Sequence, residues 1–242
     1  MSSIIKDEPA LVREPASGTD QARARRKGLI RLLAAWIVLP LFFLLTGGSL
    51  SWWQAWVYCA LLLVPMTFFV AWMARRDPAF FDRRFKMKEE EPVQRRIQAW
   101  ATPFFLAFLI VLGLDHRFGW SDPPRAIVVA ALILSLGAYL MVLRVFLENR
   151  WAGRTVETWV DQKVVDTGPY KIVRHPMYTA AIALMLATPV ALGSYWGIVG
   201  ALVYIPVFVF RVRNEEEVLL RDLRGYEDYR ARVRYRIIPY IW

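Results

Sequence analysis

Cysteine is almost missing from this chain. Cys59 is the single one in 242 residues, so no intramolecular disulfide forms and no cysteine-built metal site exists. It sits in the middle of an apolar run and reads as packing. No glycine-rich turn of the GxGxxG kind follows a strand-like run, which excludes a soluble Rossmann-type cofactor domain. Gly197 and Gly200 lie inside an apolar stretch and read as helix-packing positions. The sequence also lacks internal repeats, low-complexity tracts and the inverted pair of broken helices that marks many transporters.

Charge is missing over long stretches. None occurs over residues 52 to 73, 126 to 143 or 177 to 210. A hydrocarbon core of about 30 Å needs roughly 20 apolar residues in a helix, so these runs read as membrane spans. A soluble core helix would keep a polar face, and these do not. The composition agrees, with 57% hydrophobic residues and eleven Trp.

What is abundant is positive charge: 31 Lys and Arg against 21 Asp and Glu, a formal net charge of +10. The basic residues flank the apolar runs and form no stripe or reading motif, so nucleic acid is not the expected partner. Basic residues beside spans suit the anionic inner leaflet and mark cytoplasmic loops. Arg23, Arg25, Arg26 and Lys27 precede the first span, near Gly28 to Thr46, and Arg75 and Arg76 follow the second, at 52 to 73. Both clusters are therefore expected on the cytoplasmic side.

Residues 1 to 22 are polar and read as a disordered tail, with no cleavable signal peptide. The segment 75 to 98 mixes basic and acidic side chains with Phe80, Phe81, Phe85 and Met87, the pattern of an interfacial stretch lying along a leaflet. A third span is expected over 99 to 114, then a loop holding Asp115, His116, Arg117 and Pro123-Pro124, then a fourth at 126 to 143. The 34 uncharged residues 177 to 210 would make a helix of about 50 Å, too long for one crossing, so they must fold back at Gly193-Ser194 into two arms of some 16 residues. The expected architecture is an all-α polytopic integral membrane protein of about six transmembrane helices. Four lie in 23 to 147; residues 148 to 242 hold the hairpin, a polar cap and a C-terminal segment. Both termini are expected in the cytoplasm, which in a bacterium means the inner membrane.

The fold-back brings Arg174, His175 and Pro176 near the cluster that starts at Arg211. Gly168-Pro169 marks a turn, and Pro176 suits the first turn of a helix, where its missing N–H would be unpaired anyway. Free backbone N–H groups at that helix start favour an anionic group. By spacing alone His175 is a helix cap or an interfacial anchor, Tyr170 and Tyr178 are interfacial aromatics, and Arg211 and Glu215 are an ordinary i,i+4 pair.

Residues 161 to 178, ending in Gly168-Pro169-Tyr170 and Arg174-His175-Pro176-Met177-Tyr178, are followed by the apolar hairpin. Then come Arg211 with Glu215-Glu216-Glu217, Leu219 and Leu220, Gly225-Tyr226, Tyr229 and the run from Arg232 to Pro239. In order and spacing this half resembles isoprenylcysteine carboxyl methyltransferases and their bacterial relatives, and in part phospholipid N-methyltransferases. The resemblance spans about 145 to 242; the first four spans match only as apolar helices. It implies that S-adenosylmethionine is held by Gly168, Tyr170, Arg174, His175, Pro176, Tyr178, Glu215 and Glu217. It also implies that Arg211 and Glu216 carry the transfer, with three consecutive glutamates leaving that register open by one.

The implied acceptor is a lipophilic small molecule or prenylated substrate, or a membrane lipid, and no metal is required. An arginine can hold a carboxylate bidentately, and a carboxylate nucleophile needs no base, whereas an amine needs a group to accept its proton. Two other readings stand beside this one. The ending at residues 235 to 241 is also similar to sterol reductases, which would make the chain an NADPH-dependent membrane reductase. Against that, Met177-Tyr178-Thr179-Ala180 lacks the Asn, Gly and acid those enzymes carry. The third reading is a non-catalytic lipid-binding membrane protein.

Overall fold

The structure is a computed structural model that describes residues 18–76, 91–151 and 162–242. Every regular element among the described residues is helical. α1 is Gly18–Gly47, α2 is Trp53–Arg76, α3 is Pro92–Phe118 and α4 is Arg125–Glu148. A 3-10 turn, Gly168–Lys171, precedes α5, Pro176–Ala191, which pairs with α6, Trp196–Asp222; α7 is Tyr226–Arg232. Five of these, α1 to α4 and α6, are long and apolar enough to cross a bilayer, and α5 is a shorter apolar helix of 16 residues. The chain is an all-α polytopic membrane protein.

The six helices close into a ring. α1 packs on α2, α2 on α4, α4 on α5, α5 on α6, α6 on α3 and α3 back on α1. Large apolar side chains such as Leu33, Ile37, Phe68, Ile133 and Val203 stay exposed on its outside, as lipid-facing positions require. Inside, Phe43, Trp52, Tyr58, Leu112 and Leu192 form the main core. The buried indole of Trp52 donates to the carbonyl of Leu192 at 3.1 Å, and the Tyr58 hydroxyl lies 2.5 Å from that of Thr188, tying α2 to the end of α5.

Several expected boundaries shift. α1 starts at Gly18, so the last five residues of the expected polar tail are helical, and the rest of that tail lies outside the described residues. Of the expected interfacial segment, 77–90 lie outside the described residues, while 92–98 already belong to α3.

Asp115, His116 and Arg117, expected in a loop, form the last turn of α3. The reason is burial. The Asp115 carboxylate is wholly inside and accepts from Ser121 at 2.8 Å and from Ser194 at 2.5 Å, while His116 stacks on Trp52 with ring centres 4.6 Å apart. The helix stops only at Gly119, whose φ of 63° closes it in the left-handed region.

The hairpin turns where expected, at Gly193 with φ of 84°, and its first arm has the expected 16 residues. Its second arm does not stop at Phe210. α6 runs on to Asp222 without a break, so the i,i+4 pair Arg211 and Glu215 and the other two glutamates stand on the same helix as the hairpin's second arm.

Candidate functional site

One end of the helix ring carries the polar residues that the sequence separates. Four segments meet there: the end of α4 with the 3-10 turn, the start of α5, the extension of α6, and residues 233–242. Two backbone hydrogen bonds lay the last of these along the approach to α5, from Arg174 N to Tyr235 O at 2.9 Å and from His175 N to Arg236 O at 2.8 Å. Thr179 fastens the same strip with a bond from its hydroxyl to the carbonyl of Ile237 at 2.6 Å. Pro176 opens α5 at its first position, as its missing N–H dictates.

Glu216 is the hub. It is 3% exposed, and its Oε1 accepts from Arg174 Nε at 2.6 Å and lies 3.3 Å from His175 Nε2. Its Oε2 accepts from Arg236 Nε at 2.7 Å. Arg174 is itself buried and also donates from Nη1 to the carbonyls of Val233 and Arg234, at 2.7 and 2.8 Å. A carboxylate between two guanidinium groups stays ionised, and each buried charge compensates the other. α6, the start of α5 and the C-terminal segment are thereby fastened at one atom group.

His175 is the N-cap residue of α5 by position, yet its side chain makes no capping hydrogen bond. It turns to the glutamates instead: beside its contact to Glu216, Nδ1 lies 3.9 Å from Glu215 Oε1. That is too long for a hydrogen bond.

A second, more open line runs alongside. Arg211 Nε donates to the Tyr178 hydroxyl at 3.3 Å, and that hydroxyl donates to Glu215 Oε2 at 2.8 Å. Glu215 keeps 26% of its side chain accessible, and among the described residues its Oε1 has only the loose His175 approach. Glu217, one residue on, is exposed on another side of α6. The expected set therefore divides. Arg174, His175, Tyr178, Arg211, Glu215 and Glu216 converge, and Glu217 does not join them.

Gly168, Pro169 and Tyr170 build the neighbouring wall. Gly168 has φ of 54°, and a Cβ there would fall 2.6 Å from the Glu148 carboxylate, which Thr167 and Arg144 also hold. Tyr170 is buried; its hydroxyl accepts from Asn149 Nδ2 at 3.0 Å and its carbonyl from the Tyr229 hydroxyl at 2.8 Å. Burial pushes the phenols of Tyr226 and Tyr229 well above the ordinary tyrosine range, so both stay neutral.

Sequence reasoning missed Arg236 and Gln94. Arg236 was one of several arginines in a basic run, and only the strip pairing at His175 N selects it. Gln94, which donates from Nε2 to the carbonyl of Arg211 at 3.0 Å, lay in the stretch read as interfacial.

As to a cofactor, the side chains present fit a cationic sulfonium ligand. A partly open carboxylate, Glu215, whose Oε1 has only the loose His175 approach among the described residues, can face positive charge. The N–H groups expected to face an anion at the start of α5 are largely engaged: His175 N bonds to Arg236 O, Tyr178 N and Thr179 N bond to His175 O, and Pro176 has none.

Comparison with known proteins bears on the same residues. Residues 126–224 match the family model described as phospholipid methyltransferase, a stretch from α4 through α6 that contains Glu216, Arg174 and His175 of the hub and the whole Arg211–Tyr178–Glu215 line. The chain is also similar to the Delta(14)-sterol reductase TM7SF2 of Mus musculus, 31% identical over 91 residues. That alignment covers 36% of this chain and 22% of the reductase, so the chain spans well under two thirds of the curated relative it matches.

Proposed function

We propose that the protein transfers a methyl group from S-adenosylmethionine to a lipophilic acceptor, a prenylcysteine-type carboxylate or a lipid headgroup, at the cytoplasmic membrane face. The observation that carries this reading is the coincidence of two findings. The stretch matching the phospholipid methyltransferase model is the stretch whose polar residues converge at one end of the ring. Both termini lie on that side, in the cytoplasm, as the flanking basic clusters favour.

The bound cofactor supplies an electrophilic methyl on a positively charged sulfur. The protein has then to place an acceptor in line with it and manage charge where water is scarce. Gly168, Tyr170, Arg174, His175 and Pro176 form the wall on which the cofactor lies, and Tyr178 and Glu215 face its positive charge. Arg211 orients the acceptor through that acceptor's anionic group. Within the open register of the glutamates, Glu215 is the one that shares a hydrogen-bonded line with Arg211, and it accepts the proton if the acceptor is an amine. Glu216, engaged on both oxygens, positions Arg174, His175 and Arg236. Glu217 has no part in this scheme.

Calorimetric titration of the detergent-solubilised protein with S-adenosylhomocysteine and, separately, with NADPH tests the reading. Micromolar binding of the first alone supports methyl transfer. Binding of NADPH alone moves the protein to the reductase reading that the sterol reductase similarity favours. Binding of neither favours a non-catalytic lipid-binding role.

A further inference from the structure

The strip at residues 233–242 does more than supply Arg236. Its ties to the approach and first turn of α5 come in rising order on both segments: Tyr235 O with Arg174 N, Arg236 O with His175 N, and Ile237 O with the Thr179 hydroxyl. The strip therefore runs parallel to α5 and follows it toward the hydrocarbon. α5 has 16 residues and is about 24 Å long at 1.5 Å per residue, against a hydrocarbon core of about 30 Å. A helix this short begins at or inside the edge of the hydrocarbon, and so does whatever lies beside its first turn.

What lies there is a closed turn. The backbone oxygen of Trp242 accepts from the N–H groups of Arg236, Ile237 and Ile238, at 2.9, 3.0 and 3.1 Å, and Trp242 N donates back to the carbonyl of Ile238 at 3.1 Å. The Arg236 guanidinium, bonded to Glu216, lies 5.1 Å from the centre of the Trp242 ring. The turn is thus fastened to itself and to the hub, yet its outward side chains are apolar: Ile238, Tyr240 and Ile241 are 42%, 87% and 77% exposed. Before them come the exposed Arg230, Arg232 and Arg234, the order expected of a segment that enters a leaflet from water.

The backbone at Tyr240 points the same way. Among the described residues Tyr240 is the one non-glycine with a positive φ, 67°, in the left-handed region that glycine takes freely and residues with a Cβ do not. Its ring meets that of Tyr235, with centres 5.3 Å apart, and is otherwise left outside. A strained backbone that holds a tyrosine outward has a use at headgroup depth. There the ring is buried among lipid and the hydroxyl stays wet.

We infer that the turn at 238–241 is a membrane anchor: Tyr240 and Ile241 insert among the headgroups of the leaflet on the site's side and hold the strip, and with it Arg236, against the Glu216 hub. The insertion stands independently of the proposed activity; that it tightens cofactor binding rests on the methyltransferase reading.

The test uses the full chain in lipid nanodiscs of phosphatidylcholine and phosphatidylglycerol, which leave both faces open. Cys59 is buried, so a fluorophore placed on Ile241→Cys reports the turn, and wild type treated with the same reagent serves as the blank. Quenching by a nitroxide near the top of the acyl chains, relative to quenching by iodide in the water, should be several-fold stronger for this label than for one on Glu227→Cys, exposed on α7. Equal ratios at the two positions overturn the anchor and leave the turn in water or against a soluble partner. Tyr240→Gly separates anchoring from folding. Glycine relaxes the left-handed backbone, so the melting temperature should hold while lipid quenching of the Ile241→Cys label falls; unchanged quenching overturns the part given to Tyr240. Titrating the same nanodiscs with S-adenosylhomocysteine separates the two claims. Several-fold weaker binding by Tyr240→Gly supports the coupling to Arg236, and equal binding overturns it. A wild type that inserts its turn but ignores this ligand keeps the anchor and loses the methyltransferase assignment.

Discussion

At the residue scale, the two neighbouring glutamates differ in what their removal should do. Glu216 lies between Arg174, His175 and Arg236, with almost no exposure. Glu216→Gln leaves the buried Arg174 guanidinium without its counter-charge, and breaking a buried pair from one side costs about 3–5 kcal/mol. A large drop in the detergent melting temperature, together with loss of cofactor binding, is the expected result. Glu215→Gln touches a half-open side chain and should change the melting temperature little. If the acceptor is an amine, its turnover should fall by about a hundredfold or more, the usual worth of a proton acceptor. Parallel melting and turnover measurements on the two variants check this; equal behaviour would erase the distinction between a positioning carboxylate and a reacting one. The sequence places both glutamates in the site but does not separate them, because register on a helix decides which one faces inward and no residue in the motif announces it.

At the element scale, the spans were legible because stretches without charge have few alternatives to crossing a membrane. Helix ends were less legible. Asp115 looks like a loop residue until Ser121 and Ser194 are seen to bond its Oδ2 inside the bundle. The length of α6 is hidden for a related reason: the first charge after the hairpin marks the end of the apolar run, whereas a helix can leave the hydrocarbon without ending. Two substitutions probe these elements. Gly197→Ala puts a methyl 2.1 Å from Leu112 and against Pro189, so α5, α6 and α3 must part slightly, an overpacking cost of about 1–3 kcal/mol. Gly168→Ala combines a left-handed backbone with a clash on Glu148 and should loosen the turn that carries Tyr170. Thermal unfolding of both reads the loss, and wild-type melting temperatures would contradict these packing assignments.

At the scale of the whole molecule, the first spans and the matched C-terminal half have different tasks. α1 and α2 complete the ring, while α4 to α6 and the C-terminal strip hold the polar cluster. The site's membership was legible as a motif, but its closure was not. Arg236 completes the Glu216 hub from residues beyond the matched stretch, and it is selected by backbone pairing between Arg174–His175 and Tyr235–Arg236. Removing that strip should therefore abolish cofactor binding even though every matched residue remains. Titrating a chain truncated after Arg232 with S-adenosylhomocysteine checks this, and unchanged affinity would show that the strip is dispensable.

The central claim is that the converged end of the ring moves a methyl group onto a lipophilic acceptor. Incubating the protein in vesicles of mixed lipids with S-adenosylmethionine labelled in its methyl group, then counting label in the organic extract, tests it most directly. The account predicts label in the lipid phase with the wild type and near-background label with a folded Arg211→Ala variant. Label no higher than in protein-free vesicles, across both phospholipid and prenylcysteine acceptors, would contradict it.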